Sequence, residues 1–263
     1  MAARDWLVPD WPTPPGVQAV CTARAGGVSE APYASLNLGR HVGDMPARVA
    51  ENRRRLAQAL GARPVFLEQV HGTEAVTLGA RTPDGLAADA GVTTETGVAC
   101  TIMVADCLPL LLASADGRVV GAAHAGWRGL ANGVFAATLA RFVAVASAEY
   151  TDSAIKTGAN DVLAWLGPCI GPGAFEVGQD VWDAFVARQP QAAAHFQSQR
   201  PGKYLADLPA LARMQLQALG ITRVFGNDSS AAWCTVSQPS RFFSHRRDGV
   251  SGRMAACIWR TGA

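Results

Sequence analysis

Lysine is almost absent from the sequence, and this restricts the chemistry that can be proposed. Only Lys156 and Lys203 occur among the 263 residues, and both lie outside the segments that carry other candidate reactive residues. Schiff-base catalysis is therefore not supported. Three glycine-rich signatures are also missing, those of phosphate-binding loops, dinucleotide-binding folds and serine hydrolases. The sequence gives no support to these enzyme classes.

Other absences concern location and partners. No run of 18 apolar residues is present, so no transmembrane helix is predicted, and segment 1–17 lacks the apolar core of a signal peptide. The six cysteines show no Cys-x-x-Cys spacing and are predicted to be free thiols. A net charge of +2 does not indicate nucleic acid or a membrane surface as a partner. We expect a cytoplasmic protein, monomeric or homodimeric.

The pattern of helices and strands indicates the α+β class. A hydrophobic content of 49% is enough for a sizeable core, and no internal repeat or sharp change of composition divides the chain. Helical and extended segments do not alternate as a doubly wound sheet requires. We predict a single α+β domain over residues 1–263, with a mixed, largely antiparallel sheet flanked by helices. The main predicted elements are strands at 17–24 and 162–166, a helix at 45–60 with Asp44 as N-cap, turns at 91–96, helices at 177–188 and from Asp207 to Leu219, and a final antiparallel pair at 242–247 and 254–259.

Residues 98–133 carry the clearest local signal in the chain. Two apolar runs flank Asp116-Gly117, and Asp-Gly between hydrophobic runs predicts a β-hairpin. In such a hairpin, Cys107 and His124 lie on neighbouring strands, to within a residue or two of register. A helix over about 128–145 is predicted to follow.

Three side chains could together carry chemistry. His71 follows a predicted strand, Cys107 precedes one, and His124 ends one. Zinc and copper favour imidazole and thiolate ligands, and a set of two histidines and one cysteine leaves open the fourth position of a catalytic zinc. Their spacings of 36 and 17 residues match no short metal motif. Two other interpretations therefore stay open: packing residues, or a metal-free pair in which Cys107 is a nucleophile.

The segment Gly126-Trp127-Arg128-Gly129 is a candidate anion site. Its glycines leave backbone N–H groups free, Arg128 supplies a guanidinium, and the predicted helix begins here. A glycine turn with an exposed Arg128 is the alternative interpretation.

Seven segments carry a resemblance to one protein family. In chain order they are TARAGGVS (22–29), SLNLG (35–39), QVHG (69–72), ADCLP (105–109), HAGWRG (124–129), GPCIGP (167–172) and FFSHRR (242–247). Together they closely resemble the YfiH family, also called the laccase-domain polyphenol oxidase or peptidoglycan editing factor family, over nearly the whole chain. HAGWRG together with ADCLP is highly specific. One departure is His245, which stands where many members have tyrosine.

The resemblance implies a pocket with one metal ion, usually zinc and sometimes copper, bound by His71, Cys107 and His124. It implies phosphorolysis of adenosine, inosine and methylthioadenosine, together with adenosine deamination. Copper-dependent oxidation of phenols and the correction of cell-wall precursors are further activities associated with the family. Asn37, in the SLNLG segment, is a candidate substrate contact, or alternatively an asparagine that holds its own loop.

Among the activities that the resemblance implies, physical arguments favour that of a zinc-dependent purine nucleoside enzyme, whose partners are a purine nucleoside and phosphate. Asp106, beside the implied ligand Cys107, is the candidate carboxylate for proton transfer. Arg128 at the helix N-terminus, with Gly126, is the candidate phosphate site, and Trp127 could stack on the purine. Only five histidines and no His-x-His pair are present, so a multicopper cluster is not supported. A copper phenol oxidase, a cell-wall editing factor and a metal-free Cys-His hydrolase are the alternatives.

Overall fold

A computed structural model describes residues 6–149 and 158–262 of the chain; Lys156 lies outside these ranges. The described residues form thirteen β-strands and six α-helices. The strands are β1 (Val17–Cys21), β2 (Arg63–Phe66), β3 (Ala75–Thr77), β4 (Ala90–Thr93), β5 (Val98–Val104), β6 (Leu108–Ser114), β7 (Val120–Ala125), β8 (Val162–Leu166), β9 (Glu176–Gly178), β10 (Phe196–Arg200), β11 (Lys203–Ala206), β12 (Arg223–Gly226) and β13 (Met254–Arg260). The helices are α1 (Pro46–Leu60), α2 (Trp127–Asn132), α3 (Val134–Glu149), α4 (Gln179–Val186), α5 (Leu208–Ala218) and α6 (His245–Asp248).

The strands are arranged in three sheets. The four-stranded sheet has the order β1-β13-β5-β2 and is antiparallel except for the parallel pair β2 and β5. The six-stranded sheet has the order β12-β8-β6-β7-β4-β3 and is antiparallel except for its two edge pairs. The three-stranded sheet, β10-β11-β9, is antiparallel. The predicted α+β class with largely antiparallel pairing is confirmed.

The two larger sheets pack against each other, and helices cover their outer faces. Strands β5, β6 and β7 are buried along their whole length, so both of their faces are apolar. In β6, Leu111 joins the core between the sheets, whereas Leu110 and Leu112 join the core beneath α3 and α5. On the far side, Leu56 of α1 packs on the four-stranded sheet. Each fully buried leucine stabilises this arrangement by roughly 1.5–3 kcal/mol.

The structure divides the helix that was predicted to follow the hairpin. Gly133 adopts a left-handed conformation with φ 97°, and its N–H bonds back to carbonyls of the last turn of α2. This is the geometry that ends helices, and glycine adopts it without a steric cost. The apolar periodicity continues across the break, which is why the pattern predicted one helix. No helix in the described part of the chain is both long and apolar enough to cross a membrane.

Other predicted elements need correction too. Asp44 is not the N-cap of α1, because its Oδ2 instead accepts hydrogen bonds from Ser29 and Asn37. Residues 242–247 do not pair with β13, which lies between β1 and β5. Residues 91–96 begin within β4 rather than in turns. By contrast, the strand Val162–Leu166 is confirmed, and the carboxylate of Asp207 caps α5 by accepting a hydrogen bond from Ala210 N at 3.0 Å.

Candidate metal centre and its pocket

The hairpin of β6 and β7 brings two of the three candidate ligands together. Pro109 pairs with His124 in the antiparallel register, and Cys107 lies two residues before Pro109, just outside the strand. The preceding residue, Asp106, has a φ of 89°, so the chain makes a sharp turn immediately before the cysteine. The predicted proximity of Cys107 and His124 is therefore confirmed to within two residues of register.

His71 completes the group from a loop between β2 and β3. Its backbone has a left-handed φ of 60°, and its Nε2 lies 3.7 Å from the Sγ of Cys107. The imidazole rings of His71 and His124 meet edge to face, with centroids 4.7 Å apart. One ligand atom from each of the three residues lies within 4.8 Å of the others. Two imidazoles and one thiolate at these distances fit a single zinc or copper ion.

A buried carboxylate, Asp89, fixes two of these ligands. It accepts hydrogen bonds from the backbone N–H groups of Val70, His71 and Gly72 at 3.2, 3.0 and 2.6 Å. Its Oδ1 also lies 2.8 Å from Nδ1 of His124. An Nδ1–H donating to Asp89 leaves Nε2 of His124 free to bind a metal. The sequence interpretation missed Asp89, whose only signal is its place immediately before β4.

The backbone at Gly126 passes close to two ligands. A Cβ at this position would stand 2.7 Å from Cδ2 of His71 and 3.1 Å from Sγ of Cys107. Its φ of −67° is available to any residue, so space rather than backbone conformation requires glycine here. This requirement explains part of the HAGWRG segment.

The three groups shift one another's protonation. Burial acts to raise the pKa of Cys107, but positive charge at His124 and hydrogen bonds from both histidines outweigh it and lower the pKa to about 6. Burial acts to lower the pKa of His124, but the thiolate and Asp89 outweigh it and raise the pKa to about 9. At neutral pH the metal-free protein thus holds a thiolate beside an imidazolium, and metal binding must displace the imidazolium proton.

The carboxylate of Asp106 is already engaged. Its Oδ1 accepts a hydrogen bond from the Thr235 hydroxyl at 2.5 Å, and its Oδ2 accepts one from the backbone N–H of Arg246 at 2.6 Å. These bonds tie the turn before Cys107 to two segments more than 100 residues later in the sequence. Asp106 lines the pocket, but its contacts are those of a residue that holds the turn in place.

The candidate metal centre opens into a cavity of about 430 Å³, a size suited to a small ligand. Its lining mixes apolar, aromatic and cationic side chains, and the guanidinium of Arg246 lies over the Phe175 ring at 5.7 Å from the ring centre. The lining residues are His41, Gln69, His71, Met103, Val104, Ala105, Asp106, Cys107, His124, Gly126, Trp127, Arg128, Ile170, Phe175, Leu208, His245, Arg246 and Arg253. Sequence interpretation singled out only part of this set, because Phe175 and Arg253 carry no local signal.

Of the four predicted substrate-binding residues, three line the cavity and one does not. Gly126, Trp127 and Arg128 line the cavity, and the guanidinium of Arg128 lies over the Trp127 ring at 4.4 Å. Asn37 does not line it: the side chain is fully buried, and its Oδ1 accepts hydrogen bonds from the N–H groups of Gly39 and Arg253. The alternative interpretation, an asparagine that holds its loop, describes these contacts.

Comparisons with known proteins identify the relatives of this chain. Residues 18–261 match the family model described as multi-copper polyphenol oxidoreductase laccase. A purine nucleoside phosphorylase of Pseudomonas aeruginosa is 48% identical over 97% of this chain and 98% of its own length. The purine nucleoside phosphorylase YfiH of Escherichia coli is 46% identical over 96% and 98% of the two chains.

Solved structures show the same fold. A crystal structure of a Neisseria meningitidis protein matches with a TM-score of 0.88 and 46% identity, covering 98% of this chain and all of the other. The YlmD structure of Geobacillus stearothermophilus matches with a TM-score of 0.84 and 34% identity, covering 100% and 98%. The chain therefore belongs to the YfiH family, whose model carries the description multi-copper polyphenol oxidoreductase laccase.

Proposed function

We propose that the protein is a zinc-dependent purine nucleoside phosphorylase that also deaminates adenosine. Its substrates would be adenosine, inosine or methylthioadenosine together with phosphate, and its products the free base and a ribose 1-phosphate or methylthioribose 1-phosphate. The observation that carries the proposal is the convergence of His71, Cys107 and His124 in a cavity lined by apolar, aromatic and cationic side chains. Relatives of nearly the same length, at 46–48% identity, are named purine nucleoside phosphorylases.

The metal would be held by His71, Cys107 and His124, with Asp89 orienting His124. A zinc ion bound in this way supplies Lewis acidity and lowers the pKa of a water at its open position. Among residues 6–149 and 158–262, no second group of three or more His, Cys, Asp or Glu side chains is arranged to hold a metal. This supports a single-metal centre rather than a cluster.

In phosphorolysis, a phosphate oxygen forms a bond to C1′ of the ribose while the bond from C1′ to the purine nitrogen breaks, and the purine leaves with a proton. The indole of Trp127 and the ring of Phe175 offer flat apolar surfaces for the purine. Three arginines line the cavity, Arg128, Arg246 and Arg253, and a guanidinium there supplies hydrogen-bond donors and positive charge for phosphate; Arg128 is the candidate from the sequence.

Deamination replaces the exocyclic amino group of adenosine with oxygen from water and releases ammonia. This reaction needs a group that moves a proton from the attacking water to the leaving nitrogen. Asp106, predicted from the sequence, is the carboxylate nearest in sequence to the ligand cysteine and lines the cavity. Its hydrogen bonds with Thr235 and Arg246 would have to be retained or exchanged during the reaction.

Two measurements test the proposal. Metal analysis of protein purified without added metal should find one zinc per chain, and Cys107→Ala should remove it. The zinc-loaded protein should convert adenosine to adenine only when phosphate is present, and to inosine whether or not it is present. Well-folded, zinc-loaded protein that forms neither product would refute the proposal. Activity lost in Cys107→Ala with zinc retained would instead support a Cys-His nucleophile.

A copper-dependent phenol oxidase is the second candidate, because the family model is described in those terms. Copper found in the purified protein, with oxygen consumed on addition of a phenol and no nucleoside turnover, would favour it. Action on cell-wall precursors, a cytoplasmic location and a monomeric or dimeric state stay predictions from the sequence.

A further inference from the structure

Arg253 is a positively charged residue of the cavity that has no role in the proposed metal centre. It lies directly before β13, lines the cavity together with Cys107, and is partly buried. Its Nη1 donates to the carbonyl oxygens of Ser251 and Gly252 at 2.9 and 3.1 Å. Among the described residues its guanidinium has no carboxylate within 4 Å. A partly desolvated positive charge without an anionic partner is costly unless a ligand supplies one.

A loop from a distant part of the chain holds Arg253 in place. Asn37 Oδ1 accepts a hydrogen bond from the backbone N–H of Arg253 at 2.9 Å, and the N–H of Leu38 donates to the Arg253 carbonyl at 3.1 Å. Gly39 lies under the side chain, where an added Cβ would stand 2.7 Å from Cγ of Arg253. We call residues 37–39 the Asn37 loop. It fixes the backbone of Arg253 on both sides and packs against the stem of its side chain.

The negative groups around Arg253 have other partners. Burial lowers the pKa of its guanidinium, and negative charge at Cys107 and Asp106 opposes this effect. Both carboxylate oxygens of Asp106 already accept hydrogen bonds, and Cys107 is committed to the proposed metal. Donors of the guanidinium that are not used by Ser251 and Gly252 therefore remain for a ligand in the cavity.

The other arginines of the cavity are less suited to a desolvated anion. Arg128 is exposed and lies over the Trp127 ring. Arg246 is also exposed, and its Nη1 donates to the carbonyl oxygens of Ala174 and Glu176. Charge-assisted hydrogen bonds are stronger where water is excluded, and this favours the partly buried Arg253.

We infer that Arg253 binds the phosphate co-substrate and that the Asn37 loop positions it. The inference rests on the proposed phosphorolysis and assigns the phosphate to Arg253 instead of Arg128, the candidate from the sequence, which lies 125 residues earlier in the chain. Arg253 is a binding residue that donates to phosphate oxygens and holds the attacking oxygen toward C1′. Asn37 and Gly39 are positioning residues, because they act through Arg253.

The first test measures phosphate binding without turnover. Zinc-loaded wild-type protein and the variants Arg253→Gln, Arg128→Gln and Arg54→Gln are titrated calorimetrically with inorganic phosphate. The Arg253 variant should bind phosphate roughly 10- to 100-fold more weakly, the range expected for losing a charge-assisted hydrogen bond. Arg54 is exposed on α1 and pairs with Glu51, so its variant controls for the change in net charge and should bind as wild type does.

Wild-type affinity in Arg253→Gln, or a larger loss in Arg128→Gln, would overturn the inference. Arg253→Lys keeps the charge and serves if the glutamine variant does not fold; it should bind phosphate several-fold more weakly, because an ammonium cannot reproduce the planar set of donors. Protein that binds phosphate through Arg253 but does not cleave nucleosides would refute only the proposed function. Phosphorolysis that persists in Arg253→Gln with an unchanged KM for phosphate would refute only the inference.

The second test moves Arg253 without removing it. In Gly39→Ala the added methyl group must displace the stem of Arg253, although the backbone at φ −85° accepts alanine. The KM for phosphate should rise several-fold, while the KM for the nucleoside, the zinc content and the phosphate-independent deamination stay unchanged. Gly173→Ala is the matched control, since nothing lies within 4 Å of its added Cβ. Equal changes in both KM values would show a merely structural effect and contradict the positioning role.

Discussion

Asp89 offers the sharpest test of how the candidate metal centre is built. Its carboxylate accepts four hydrogen bonds, two at Oδ2 from Val70 and Gly72 and two at Oδ1 from His71 and His124. Asp89→Asn replaces one oxygen by an NH₂ group, so two of the four donors lose their acceptor. At roughly 1–3 kcal/mol for each unpaired buried donor, the free energy of unfolding should fall by about 2–6 kcal/mol.

The same substitution should weaken metal binding. Without the anionic acceptor, the ring of His124 is no longer fixed with Nε2 toward the metal, and zinc affinity should fall roughly 10- to 100-fold. Thermal melts of the metal-free protein give the stability, and competition with a chromophoric chelator gives the affinity. The control is Asp183→Asn on α4, an exposed position where Oδ1 can still accept the hydrogen bond from Gln179. If Asp89→Asn matched this control in both measurements, the assigned role of Asp89 would be wrong.

Three further predictions concern the same centre. Gly126→Ala should lower zinc affinity at least tenfold, as measured by chelator competition, because its methyl group would stand 2.7 Å from the His71 ring. Zinc affinity should rise with pH, because zinc binding requires Cys107 and His124 in their deprotonated forms. Below about pH 6 both groups must lose a proton, and between about pH 6 and 9 only His124 must. The contribution of these two groups to the slope of log affinity against pH should therefore fall from two to one. Urea unfolding should show a single transition with the same midpoint by tryptophan fluorescence and by far-UV circular dichroism, and zinc should raise this midpoint equally for both probes.

The parts of the fold predicted from sequence are those with local causes. The Asp116-Gly117 turn sets the register of β6 and β7, and the Asp207 side chain caps the helix that follows it. Signals of this kind act within a few residues and can be read without tertiary structure. The break at Gly133 also has a local cause, but a single glycine inside a continuing apolar pattern does not distinguish a break from a tolerated residue.

The parts that were missed depend on distant pairing. No motif marks Asp89 in the sequence, and its importance follows only from its burial beside His124. The family pattern makes Asn37 a candidate for a substrate contact or for holding its own loop, but it does not indicate its partner Arg253, which lies 216 residues away. Nothing in either segment indicates that they meet. The resemblance identified which residues matter, but only the structure shows through which contacts they act.

Hydrogen bonds around the pocket connect segments that are far apart in the sequence, and they indicate how the chain is divided into domains. Asp89 connects the His71 loop to β7, Asp106 connects the turn before Cys107 to Arg246, and the Asn37 loop connects to β13. The core between the two larger sheets likewise contains side chains from strands as distant in sequence as β1 and β13. We therefore propose that residues 1–263 form one domain. If this one domain unfolds as a unit, a metal that binds only the folded state stabilises the entire fold by RT ln(1 + [metal]/Kd).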